Sequence, residues 1–170
     1  MKLAPRIRSL ILLGALLGAA LASACGSEDR PAATYVRETR AAHAAADRAL
    51  ERGDREGALA ALRFLLEERA PEGLAPEDAW VIRADAAYRL AELELGAGDP
   101  EAALAWIERG LEGGARADLF EANLLVTRGR ALEALGRDVE AARAYHEALV
   151  INDELLGQTL EGPEPSEEER

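Results

Sequence analysis

One spacing of glycine, alanine and leucine occurs three times in this chain. The stretches "ERGDREGALAALRFLL", "GAGDPEAALAWIERGL" and "ALGRDVEAARAYHEAL" align on Gly53, Gly98 and Gly136. Five residues after each glycine stands an alanine: Ala58, Ala103 and Ala141. Nine after comes a large apolar side chain (Leu62, Ile107, Tyr145), and thirteen after a leucine (Leu66, Leu111, Leu149). Seven before each glycine the side chain is small: Ala46, Ala91 and Gly129. Offsets that step by four stack side chains along one face of an α-helix. A glycine supplies the left-handed turn that closes the helix before it. Asp99-Pro100-Glu101 then opens the next, with an aspartate to cap free amides, a proline suited to the first turn and a glutamate at the positive end. Each unit is therefore a helical hairpin whose small residues let its two helices approach closely. A single hairpin cannot bury its apolar stripe, so the three must stack.

Six helices are expected, near residues 34–52, 54–69, 76–96, 99–113, 117–136 and 138–157. In "RAPEGLAPED", Pro71, Gly73 and Pro76 force a break between the first unit and the second. The fold class read from this pattern is all-α: three antiparallel helical hairpins in units of about 34–69, 76–113 and 117–157. Aromatic residues make up only 4% of the chain, so the core must be built from alanine and leucine. Trp80, Trp106 and Phe120 read as core or inter-unit packing. Glutamates such as Glu92 with Glu94, and Glu67 with Glu68, read as solvated helix faces.

The last unit resembles a tetratricopeptide repeat. It carries Leu125-x2-Arg128-Gly129-x2-Leu132, then Ala141-x3-Tyr145-x2-Ala148, with Asp153 where that family has proline. The second unit keeps Leu90-Ala91, Ala103-x3-Ile107 and Gly110, with Glu94 at a usually aromatic position. The first keeps Ala45-Ala46, Ala58-x3-Leu62 and Leu65. The resemblance spans residues 35–157, with repeat spacings of 45 and 38 residues. It implies a short right-handed solenoid in which the first helix of each unit lines a groove for a protein segment. Carried over position by position, the groove would present Arg40, His43 and Asp47 in the first unit. The second would contribute Tyr88, Arg89 and Glu92, and the third Val126, Thr127, Arg130 and Glu133. The Lys-and-Asn clamp that some family members use for a C-terminal carboxylate is missing, since His43, Tyr88 and Val126 occupy those positions. The outward face of the last helix, with Val150, Leu155 and Leu156, is a second candidate surface. It reads either as open to another copy or a larger assembly, or as covered by the tail.

Ahead of the repeats, Lys2, Arg6 and Arg8 precede thirteen apolar residues at 10–22, which lead into Leu21-Ala22-Ser23-Ala24-Cys25. A basic start, an apolar stretch too short for a comfortable span and a small-residue exit make an export signal. With the only cysteine at the exit, it resembles a bacterial lipoprotein signal peptide, which implies acylation of Cys25 and an anchored mature protein. By that resemblance, Gly26 after the cysteine points to the outer membrane facing the periplasm. The expected organisation is a signal at 1–24, a flexible tether at 25–33, the helical domain at 34–157 and a disordered acidic tail at 158–170. With Cys25 acylated, no intrachain disulfide can form.

The full chain has a net charge of −12, and loss of the three basic residues of 1–24 leaves 17 basic against 32 acidic residues, a net of −15. That balance argues against nucleic acid as a partner. His43 and His146 lie in different units, too few and too far apart in sequence for a metal site, so neither metal nor cofactor is expected. Beyond residue 24 the serines are Ser27 and Ser166 alone, near the two ends, and no glycine-rich phosphate loop occurs. The reading is thus not an enzyme but a membrane-anchored adaptor or scaffold of the bacterial cell envelope, holding a protein partner. An envelope enzyme or enzyme subunit with a carboxylate-based site is the alternative. A small-molecule binding module is a third possibility, requiring a closed pocket that a three-hairpin stack seldom encloses.

Overall fold

The computed structural model describes residues 30–161, and among them it is all-α. Six helices follow in order: α1 Arg30–Glu51, α2 Arg55–Glu67, α3 Pro76–Gly96, α4 Pro100–Leu111, α5 Leu119–Ala134 and α6 Asp138–Glu161. Each packs on its neighbours in sequence, most extensively within the pairs α1–α2, α3–α4 and α5–α6, and α3 also packs on α5. This is the packing expected of stacked hairpins.

The three hairpin turns are the same device. Gly53, Gly98 and Gly136 have φ of 71°, 81° and 70°, a conformation cheap only for residues without a Cβ. The amide one residue further on reaches back to close the helix: Asp54 N to Ala49 O at 2.8 Å, Asp99 N to Glu94 O at 2.9 Å, Arg137 N to Leu132 O at 2.9 Å. Asp54 and Asp99 then turn their carboxylates to the next helix, accepting from the amides of Gly57 and Ala102, each at 2.9 Å. One residue thus ends a helix with its backbone and starts the next with its side chain.

The small residues sit where helices touch. Ala46 and Ala91 are fully buried, as are Ala58, Leu62, Ala103 and Ile107. A methyl group added to Gly129 would stand 2.4 Å from the Tyr145 ring, and one added to Gly110 2.7 Å from the Ala87 methyl. The central helix α3 is enclosed by its neighbours, burying Trp80, Ala84, Ala86, Ala87, Leu90, Ala91 and Glu94. Trp80 meets Phe120 edge to face with centroids 6.4 Å apart. Trp106, half-buried, has the guanidinium groups of Arg63 and Arg109 over its ring, 5.5 and 5.2 Å from its centroid.

Several expectations are corrected. Helix α1 begins at Arg30 rather than 34, because Pro31 fits a first helical turn and alanines follow it. Helix α6 continues to Glu161, four residues past 157; neither proline nor a turn glycine intervenes, and the Thr159 hydroxyl donates to the Leu155 carbonyl at 2.9 Å. The expected signal, Cys25, the first part of the tether and residues 162–170 of the tail lie outside the described residues. Glu94 is not solvated: only 6% exposed, it meets the Arg55 guanidinium, with Arg63 at 3.9 Å. Leu155 is half-buried, packed against Ala122, Leu125, Ala148 and Ile151 rather than facing outward.

The thirteenth-residue leucines do not share one fate. Leu66 is buried with Trp80 in the main core, and Leu111 packs between that core and the α5–α6 cluster. Leu149 is 56% exposed. Steps of four residues drift round a helix by about 40° each, since 3.6 residues make a turn. In the first two units the drift carries the leucine toward the following unit. After α6 no further unit follows among the described residues.

Candidate functional site

The ten positions carried over from the repeat resemblance come from three helices, and seven of them are paired through their side chains. From α1, Asp47 accepts from Arg89 of α3, and His43 Nδ1 accepts from Arg89 Nη1 at 2.8 Å. From α3, Asp85 Oδ2 lies 3.5 Å from His43 Nε2, and Glu92 accepts from Arg130 of α5. From α5, Glu133 accepts from the Tyr145 hydroxyl of α6 at 2.6 Å. Arg40 and Val126 are exposed and Tyr88 half-buried. Polar pairs therefore run from α1 across α3 to α5 and on to α6, each joining side chains of different helices.

Local sequence explains the alignment. Residues 85, 88, 89 and 92 recur at three- and four-residue steps, so they share one face of α3, as do 40, 43 and 47 on α1 and 126, 130 and 133 on α5. A guanidinium offers only donors, so Arg89 requires a lone pair on His43 Nδ1 and leaves the imidazole proton on Nε2, toward Asp85. Burial pushes the His43 pKa below its ordinary value, with Arg89 adding to the effect and Asp85 and Asp47 opposing it. Burial, then the bond to Glu133, pushes the Tyr145 hydroxyl up to about 12.

One carried-over position is corrected. Thr127 is 1% exposed, and its hydroxyl stands 3.2 Å from Glu92 Oε1 and 3.0 Å from the Asn123 carbonyl, donating to one at a time. It secures α5 to α3 and is out of reach of a bound segment. Asp85, absent from the carried-over set, belongs to the face. Its signal was available, four residues before Arg89 on the same helix.

Other polar groups have different duties. Glu121, 8% exposed, accepts from the amides of Arg116 and Ala117 at 2.5 and 2.7 Å, holding Ala117 at φ 52° in the α4–α5 turn. A cleft of about 480 Å³ on another side of α3 is lined by Arg69, Trp80, Arg83, Glu112 and Arg116, with Arg83 donating to Glu112 at 3.1 Å. Among the described residues no three His, Cys, Asp or Glu side chains are grouped to hold a metal, and no helix is long and apolar enough to cross a membrane. Compared with family models, with curated proteins and with solved structures, the chain matches none.

Proposed function

We propose that the chain is a membrane-anchored adaptor of the bacterial cell envelope. In this reading it is a small tetratricopeptide-like lipoprotein, acylated on Cys25, exported and facing the periplasm from the outer membrane. The face of α1, α3 and α5 captures a segment of a protein partner.

The observation that carries the reading is the interlocked face itself. Residues from three separate helices meet on one surface, and their mutual pairs hold those helices in a fixed relation. A face ordered in advance loses little freedom when a segment docks on it. Arg40, Tyr88 and Val126 offer it a guanidinium, a phenol and an apolar side chain, on the same helix faces as the carboxylates Asp47, Glu92 and Glu133. Mixed contacts of this kind suit a polypeptide segment better than a polyanion. An anchor would keep the face near the membrane and raise its effective concentration for an envelope partner.

The test is a tagged pull-down of the full chain from detergent-solubilised envelopes, against an Arg40→Glu, Val126→Glu variant. These two side chains make no pair among the described residues, so their replacement removes none of the interlocked partners. A stoichiometric protein lost in the variant supports the adaptor, and one retained moves the site elsewhere. The anchor is tested separately: Cys25→Ala should release the protein from the membrane fraction or stall its processing. Full membrane retention of a processed variant would sink that part of the reading.

A further inference from the structure

Helix α6 carries apolar stripes on two opposite sides. The inner one, Ala141, Ala144, Ala148, Ile151 and Leu155, steps by three and four residues and packs against α5. The outer one, Val139, Ala142, His146, Leu149, Asp153, Leu156 and Leu160, has the same alternating step and is exposed throughout. Its large members are strongly so: Val139 67%, Leu149 56%, Leu156 57% and Leu160 78%. Alternating steps of three and four over three heptads make the seam of a two-helix coiled coil. A stack of repeats ordinarily closes on a polar outer face. Here α6, the last helix among the described residues, is apolar on its outer face, and Leu149 occupies the register that a following unit covers in the first two repeats.

From this we infer that the outer stripe of α6 is the interface with a second copy of the same chain, paired antiparallel about a two-fold axis near Leu149. Charge selects the occupant and the direction. Two polar residues interrupt the stripe, His146 on one side of Leu149 and Asp153 on the other, with Arg143 flanking it. Antiparallel copies set Asp153 of each beside Arg143 and His146 of the other, and Val139 beside the leucines at the far end. Parallel copies would place Asp153 against Asp153, a like-charge contact that disfavours that direction. The glutamates Glu140, Glu147 and Glu154 recur every seven residues along one flank, outside the seam. Residues 162–170, "GPEPSEEER", include no large apolar side chain to cover the stripe. A self-complementary patch of this kind is what a closed two-fold dimer requires. The inference stands independently of the adaptor reading, since α6's outer stripe and the face of α1, α3 and α5 are different surfaces.

The test uses the full chain in detergent. Sedimentation or light scattering should give a dimer of the polypeptide for the wild type and a monomer for Leu149→Glu, Leu156→Glu, with unchanged helical content by circular dichroism. In a Cys25→Ser background, Leu149→Cys should form an intermolecular disulfide. Val139→Cys should not, because antiparallel pairing separates the two copies of that position by about 30 Å at 1.5 Å per residue. A monomeric wild type overturns the inference, as would its stripe being covered by the apolar residues 10–22 of its own chain. A dimer that survives the double glutamate variant overturns it too, since another surface then joins the copies. Efficient self-linking of Val139→Cys overturns the antiparallel arrangement.

Discussion

Arg89 donates to His43 Nδ1 at 2.8 Å, and this single contact fixes the histidine as the neutral form carrying its proton on Nε2. Protonating Nδ1 would place two donors face to face beside a fixed positive charge. The first-unit helix α1 is thereby tied to α3 through a histidine whose pKa burial holds below its ordinary value.

A pH dependence follows. The unfolded histidine titrates near 6.5, and burial holds the folded one lower. Between those two values the unfolded state binds more protons. Stability is therefore full above about pH 6.5 and declines as pH falls through that value toward the folded midpoint, levelling below it. The slope is at most about 1.4 kcal/mol per pH unit for one proton. Thermal melts of wild type and His43→Gln from pH 8 to 5 should show this decline in the wild type alone; equal slopes would remove His43 as its source.

Close approach of α5 and α6 depends on Gly129. The Tyr145 ring stands where a methyl group would go, and that ring is also held by Glu133. Gly129→Ala should cost about 1–3 kcal/mol through overpacking. Adding Tyr145→Leu should recover part of the loss by freeing space. Urea midpoints of the four proteins of this cycle check both statements, and strictly additive effects would argue against the contact.

The buried carboxylate Glu94 makes a third case. Arg55→Met removes its main counter-charge and should cost up to about 3 kcal/mol, tempered by Arg63 at 3.9 Å. Replacing both, Arg55→Met with Glu94→Leu, should restore most of the stability, because an apolar pair needs no compensation in that site. Chemical denaturation reads the difference; a double variant no better than Arg55→Met would count against burial as the cause.

What the sequence made legible divides along physical lines. The hairpins were readable because each rests on local chemistry: a left-handed glycine, an aspartate cap, a small residue seven positions earlier. The repeat resemblance puts Arg89, Glu92 and Arg130 on one side of the stack. It did not show that these groups satisfy one another, because pairing across helices depends on the rotation of each about its axis. Thr127 illustrates the limit: one step round α5 from Val126, it turns inward and is lost to the surface. Glu94 is another case, since its counter-charge comes from Arg55, 39 residues earlier. The ends of α1 and α6 extend past the sequence expectation because Pro31 fits a first helical turn and Gly157 does not stop the last helix.

The three hairpin turns supply a last prediction, from the one place where their likeness fails. Asp54 and Asp99 each cap the following helix, so Asp54→Ala and Asp99→Ala should each cost about 1 kcal/mol, additively. At the equivalent point of the third turn stands Arg137, whose side chain can only donate and instead bonds Glu140 at 2.8 and 2.6 Å. Among the described residues the opening amides of α6 have no side-chain acceptor like those of α2 and α4. Arg137→Asp supplies one in the same backbone geometry, at the expense of an exposed ion pair that contributes little. The variant should melt at a higher temperature than the wild type, whereas Arg137→Ala, which removes the pair and adds no cap, should not. A fall in melting temperature for Arg137→Asp would mean that the pair with Glu140 outweighs a cap, and that the third turn is built differently from the first two.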